Sequence, residues 1–260
     1  MPKFFVCSDL HSFYTPFKTA LDKAGFDPSN ENHWLIVCGD AFDRGDESYE
    51  LLQYLMQLER KILIRGNHDD LLEECCKREF PYSHDFSNGT MKTIADIGGA
   101  DQGRLFDECC QIAWNKTAAY RHLLRDYFET QNYIFVHGWI PCEVYYHGEG
   151  SDKPWYQSYK TFEYKPDWRN SNDVEWESAR WINGIARAHD GVIESDKTIV
   201  CGHWHCSFGY ALDSDGKIEE FGKNSVWEPW HHEGCIAIDR CTAHTGAVNI
   251  LVLEDEFLED

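Results

Sequence analysis

Five short apolar runs in this chain each end on residues that a protein core rejects, and this recurrence limits the fold more than any other feature. Lys3–Cys7 leads into Ser8-Asp9-Leu10-His11, and residues 34–38 lead into Gly39-Asp40-Ala41-Phe42-Asp43-Arg44-Gly45. Lys61–Ile64 leads into Arg65-Gly66-Asn67-His68-Asp69, residues 133–136 into His137-Gly138, and Thr198–Cys201 into Gly202-His203-Trp204-His205. Apolar runs of this length bounded by turn residues read as buried strands. Ionised side chains are costly inside a core but tolerated at a strand's carboxyl end, where a crevice sets a cation or an anion against them. Between the first three runs, residues 14–23 (Phe17, Ala20, Leu21) and 48–58 (Leu51, Leu52, Leu55, Met56) carry helical spacing. Strand and helix therefore alternate, which implies a doubly wound α/β arrangement with at least partly parallel strands and a shared polar edge.

The remaining chain is less regular. Residues 69–130 are mostly helical by pattern, interrupted at Pro81 and at Ser87-Asn88-Gly89-Thr90. Residues 143–190 are rich in Trp, Tyr and charge and lack strand periodicity, apart from a helical stretch near 174–188. They read as an insertion overhanging the polar edge, a cap within a single domain of residues 1–260. Segments 234–239 and 246–253 read as two antiparallel strands, followed by a frayed acidic tail.

With 24 Lys+Arg against 45 Asp+Glu, the net charge of −21 is the opposite of what a binder of long nucleic acids needs. The 11 cysteines include two vicinal pairs and follow no disulfide framework, so reduced thiols and a cytoplasmic location are expected. The first apolar run is too short for a signal peptide, and no window reaches membrane-spanning length, so no membrane partner is expected.

Taken singly, each polar cluster has an ordinary reading. Asp9-Leu10-His11 could be a turn or a helix cap, Asn67-His68 a turn, and His137 a hydrogen-bonded core residue. His203-Trp204-His205 could be two histidines at a core edge. Their joint occurrence at five strand ends is what points to a site, with carboxylates for metal and a guanidinium for phosphate in the second block.

As a set, D-x-H, G-D-x-x-D-R-G, G-N-H-D, a lone H and G-H-x-H resemble the signature of the calcineurin-like metallophosphoesterase superfamily. The longer second block narrows the likeness to its branch of bacterial serine/threonine phosphoprotein phosphatases and symmetrical diadenosine tetraphosphatases. The resemblance implies a four-layer sandwich of two mixed β-sheets flanked by helices, with two divalent metal ions per chain at the sheet edge. It implies that Asp9, His11 and His205 hold one ion, that Asn67, His137 and His203 hold the other, and that Asp40 bridges them. Mixed oxygen and nitrogen ligands suit borderline divalent ions such as Mn, Fe or Zn rather than Ca, and Mn is the ion expected first. Attack on phosphorus by a metal-bound hydroxide is the implied reaction. His68 is then the general acid, oriented by Asp43, and Arg44 grips the phosphate. A second phosphate contact is expected from Arg180, with Arg169 as its competitor. Asn88-Gly89 resembles an N-G-G element of related phosphatases, with Thr90 in place of the second glycine and no role evident.

Three functions follow as expectations. The first is hydrolysis of phosphomonoesters, of the phosphoserine or phosphothreonine type or of a nucleotide. The second is hydrolysis of a dinucleoside polyphosphate, with Trp155, Tyr156, Trp168, Trp176 or Trp181 stacking a base; the alternative for these aromatics is a small core. The third is a catalytically silent metal-binding scaffold. It is disfavoured because the seven ligand positions, His68 and Arg44 are all present.

Overall fold

The structure, a computed structural model, describes residues 1–147 and 159–258. In chain order the elements open with β1 (Lys3–Cys7), α1 (Tyr14–Lys23), β2 (His33–Cys38), α2 (Ser48–Gln57) and β3 (Lys61–Ile64). A helical stretch follows: α3 (Asn67–Arg78), α4 (Ser83–Asn88), α5 (Thr90–Gly98), α6 (Phe106–Lys116) and α7 (Ala118–Leu123). Next come β4 (Leu124–Arg125), β5 (Phe128–Glu129), β6 (Tyr133–Phe135), β7 (Cys142–His147) and β8 (Tyr159–Tyr164). The chain continues through α8 (Asp173–Ala179), α9 (Gly184–His189), β9 (Thr198–Cys201) and α10 (Cys206–Asp213). It closes with β10 (Trp230–His232), β11 (Cys235–Ala237), α11 (Thr242–Thr245) and β12 (Leu251–Glu254).

Two five-stranded mixed sheets form the centre, in the orders β12-β1-β2-β3-β4 and β10-β11-β9-β6-β5. Alternation along the strands builds three apolar layers. Phe5, Cys7, Leu35 and Val37 face Phe17, Leu21, Leu51 and Leu55 of α1 and α2. Phe4, Val6, Ile36 and Cys38 face the other way and meet Phe135, Val200 and Ile236 of the second sheet. The outer face of that sheet, through Ile134, Ile199 and Cys235, packs on Trp139, Trp176 and Ile185. The result is helices, sheet, sheet, helices. Strands buried on both faces need continuous apolar runs, and the polar residues are left to the strand ends.

The five apolar runs are divided, β1, β2 and β3 in one sheet and β6 and β9 in the other. The two C-terminal segments part company as well: β11 runs parallel to β9, whereas β12 runs antiparallel to β1 in the opposite sheet. This corrects the expectation of two antiparallel strands at the end of the chain. Each segment completes the sheet whose buried face its apolar side chains match.

Within 143–190 there is a strand pair that the sequence hid, since β7 and β8 form an antiparallel hairpin. Trp168 and Trp176 are buried in the helical layer with Tyr127 stacked on Trp176 at 5.3 Å, so these two tryptophans serve the core. Trp155 and Tyr156 lie outside the described residues.

Candidate active site

Loops at the carboxyl ends of β1, β2, β3 and β9, with the segment after β6, converge where the two sheets meet. The backbone there is strained. Of the ten non-glycine residues with positive φ among the described residues, seven are in these loops: Asp9, His11, Ser12, Asp40, Asp43, Arg44 and His203. Left-handed φ costs energy outside glycine, and such residues concentrate at functional sites. Gly66 answers a different demand. A Cβ there would sit 2.1 Å from Asp40 Oδ1 and 2.4 Å from Asp40 N, so only glycine lets α3 begin against the Asp40 carboxylate. His68 N donates to Asp40 Oδ1 at 3.0 Å, which sets a helix amino terminus on that charge.

Asp40 is the hub. Its Oδ1 lies 3.3 Å from His137 Nε2, and its Oδ2 lies 4.0 Å from His11 Nε2 and 3.9 Å from His68 Nε2. His137 Nε2 also meets Asn67 Oδ1 at 2.8 Å, and Asp9 Oδ1 lies 3.9 Å from His11 Nε2. Asp9 Oδ2 accepts from His203 N at 2.9 Å. Ligand atoms of Asp40, His137 and His203 all lie within 4.8 Å of one another, as do those of His11, Asp40 and His68.

Backbone carbonyls fix the imidazole tautomers. His11 Nδ1 donates to Phe42 O at 3.0 Å and His137 Nδ1 to Cys38 O at 2.9 Å, so each Nε2 is turned to the carboxylates. His203 is likewise hydrogen-bonded to the Trp181 backbone.

The electrostatics ask for positive charge. Burial works against an ionised Asp40, yet His137, His68 and His11 outweigh it and hold its carboxyl well below the usual range. Burial opposes a charged His137 too, but Asp40 and Asp9 lift its pKa to about 10. Burial, with His137 beside it, takes His203 down to about 3. Asp9 is pushed up by burial and by Asp40 in spite of His137, and Asp239, also buried, is raised by burial and by Asp9. Three buried carboxylates among inward-facing imidazoles fit divalent cations, which would offset the charge that burial and mutual repulsion now penalise.

Of the seven expected ligands, Asp9, His11, Asp40, Asn67, His137 and His203 come together. His205 is engaged by other partners: its Nε2 meets Glu220 Oε1 at 2.8 Å, and its ring packs on Phe221 and Trp227. His68 Nδ1 lies 2.8 Å from Asp43 Oδ2, and Arg44 Nη2 lies 3.3 Å from His68 Nε2. Arg180 is committed elsewhere, with Nε on Asp70 Oδ2 at 2.7 Å and Nη1 on Asp126 Oδ1 at 3.0 Å. Arg169 binds Glu129 and Glu194. Neither guanidinium is hydrogen-bonded to the cluster.

A family model for calcineurin-like phosphoesterases matches residues 2–207. The chain belongs to the calcineurin-like phosphoesterase family. The symmetrical bis(5'-nucleosyl)-tetraphosphatase of Aromatoleum aromaticum is 26% identical to it, over 77% of this chain and 82% of that protein. The like-named protein of Pseudomonas entomophila is 32% identical over 53% of this chain. That match spans 42% of the P. entomophila protein, and the match to the P. fluorescens protein of the same name spans 23% of it, so the chain spans less than half the length of these two Pseudomonas relatives. Among solved structures, a cold-active protein tyrosine phosphatase shares the fold with a TM-score of 0.55 at 15% identity, covering 98% of this chain and 74% of that one. No helix among the described residues is long and apolar enough to cross a membrane.

Two threonines of α5 carry no group that marks them as site residues in the sequence, yet both touch the site. Thr90 Oγ1 and Thr93 Oγ1 donate to the Asp43 carboxylate. Their one signal is an i, i+3 spacing directly after Asn88-Gly89.

Proposed function

We propose that this member of the family hydrolyses phosphomonoesters, of the phosphoserine or phosphothreonine type or of a nucleotide, with two divalent ions per chain, manganese before iron or zinc. The observation that carries the reading is the convergence of five oxygen- and nitrogen-bearing side chains, those of Asp9, His11, Asn67, His137 and His203, around the Asp40 carboxylate. Asp9, His11 and Asp40 would hold one ion and Asp40, Asn67, His137 and His203 the other, and His205 would join the first by giving up Glu220. Ions bound there supply a water of lowered pKa and charge stabilisation for phosphoryl oxygens.

The chain's own residues do the rest. Arg44 is exposed and its guanidinium reaches His68 Nε2, so one phosphate can contact both. Asp43 accepts from His68 Nδ1, which leaves Nε2 to hand a proton to the departing oxygen. Burial disfavours the charged imidazole, but Asp40 and Asp43 raise the His68 pKa overall, which favours the acid form.

A second reading, hydrolysis of a dinucleoside polyphosphate, is supported by the names of the relatives and by two half-exposed aromatics. Trp181 lies 5.9 Å from the His203 ring and Phe221 lies 4.8 Å from the His205 ring, so either could stack a base. Assay of para-nitrophenyl phosphate, its bis ester, a phosphopeptide and diadenosine tetraphosphate with added Mn decides between them. Monoester turnover is expected. Preferential cleavage of diadenosine tetraphosphate would favour the second reading, and metal binding with no turnover would mean a silent scaffold.

A further inference from the structure

From the contacts at α5 we infer that Thr90 and Thr93 are positioning residues for the acid pair, holding Asp43 so that it fixes the orientation and tautomer of His68. The inference rests on the phosphoester hydrolysis proposed above and deepens it. Asp43 is buried, at φ 76°, and followed by Arg44 at φ 67°. Two successive left-handed residues would relax without outside support. Thr93 Oγ1 supplies that support twice, accepting from Asp43 N at 2.9 Å and donating to Asp43 Oδ1 at 2.9 Å. Thr90 Oγ1 donates to Oδ2 at 2.7 Å, the same oxygen that lies 2.8 Å from His68 Nδ1.

The donor roles follow from the connectivity. Thr93 Oγ1 has a lone pair engaged by the Asp43 amide, and Ser48 Oγ approaches it at 3.4 Å, so its own proton goes to Oδ1. With hydroxyls donating to both oxygens, Asp43 acts as an acceptor, and the proton between it and His68 sits on Nδ1. His68 then presents Nε2 toward Arg44 and Asp40.

Gly89 makes the approach possible. A Cβ there would lie 2.2 Å from Arg44 N and 2.6 Å from Arg44 Cα, so α5 can seat against the Asp43-Arg44 turn only through a glycine, here at φ +87°. This gives a role to the Asn88-Gly89-Thr90 stretch. The glycine permits contact, and the threonine in place of a second glycine adds a hydroxyl to the carboxylate.

The test compares Thr90→Val, Thr93→Val and the two serine variants on phosphoserine and para-nitrophenyl phosphate. Proton NMR of the chelator-treated protein follows the Nδ1 proton of His68. Each valine variant is expected to lose about tenfold in kcat/KM on phosphoserine and about twofold or less on para-nitrophenyl phosphate, whose leaving group needs no proton. Each should also shift the Nδ1 proton resonance upfield or lose it to exchange, and serine should restore both readouts. Wild-type values in the valine variants, or equal losses on both substrates with an unmoved resonance, would overturn the inference. If Thr93→Val fails to fold, Thr90→Val decides alone, since among the described residues its hydroxyl makes only the Oδ2 contact. If the wild-type chain turns over neither substrate, the phosphoester reading fails, and an unmoved resonance in the valine variants would separately overturn the positioning role.

Discussion

His68 Nδ1 lies 2.8 Å from Asp43 Oδ2, with both side chains buried and the two residues 25 positions apart in the chain. A carboxylate held at one ring nitrogen leaves the other free to serve as an acid, and positioned acids contribute roughly 10²–10⁴-fold. His68→Asn is expected to lose a factor in that range on an alkyl phosphate such as phosphoserine and far less on para-nitrophenyl phosphate. The measurement is kcat/KM on both substrates at fixed pH with metal content verified. Equal losses would assign His68 to binding phosphate or water.

Arg180 joins α8 to two carboxylates, Asp70 just past His68 and Asp126 between β4 and β5. The sequence suggests a phosphate contact, but the ion pairs predict a strut. Arg180→Ala should cost about 1–3 kcal/mol of stability, reduced from a fully buried pair because Asp126 is partly exposed, and should leave KM near the wild-type value. Urea unfolding and steady-state kinetics together check this. A raised KM with unchanged stability would return Arg180 to the substrate.

Asp69 offers a pH test. Burial, with Asp40 nearby, pushes its carboxyl up to about 7 despite donation from Gly66 N and Tyr120 Oη. Between the ordinary carboxylate range and that value, the folded chain keeps a proton that the unfolded chain has lost. This stabilisation is full at low pH and is lost as pH rises toward 7. Asp69→Asn keeps an oxygen for Gly66 N and removes the titration. Urea unfolding of chelator-treated protein at pH 5 and pH 8 should show a smaller drop for the variant than for wild type. Equal drops would mean that Asp69 does not titrate in this window.

What the sequence reveals and what it hides divide along physical lines. The strand ends were legible because a strand buried on both faces must be apolar throughout, so Asp9, Asp40, Asn67, His137 and His203 had only the edge to occupy. The division of β1 and β9 between two sheets was not legible from the runs themselves, since a run such as 198–201 carries no mark of its partner. The β7–β8 hairpin leaves no mark in the sequence because Glu143, Val144, Tyr145 and Tyr146 are exposed and no apolar alternation is imposed on them. Thr90 and Thr93 sit on a helix where threonine has no special signal, and the carboxylate they hold is 47 and 50 residues away. The contact of His205 with Glu220 joins positions 15 apart in the chain, and no motif spacing encodes it.

The central claim is that the Asp40 cluster works through two divalent ions. Titrating Mn into chelator-stripped protein while following para-nitrophenyl phosphate hydrolysis tests it most directly. The account predicts negligible turnover without metal, activity rising to a plateau at two equivalents per chain, and no plateau of comparable height for Asp40→Asn. Full activity in the stripped protein, or saturation at a single equivalent, would contradict it.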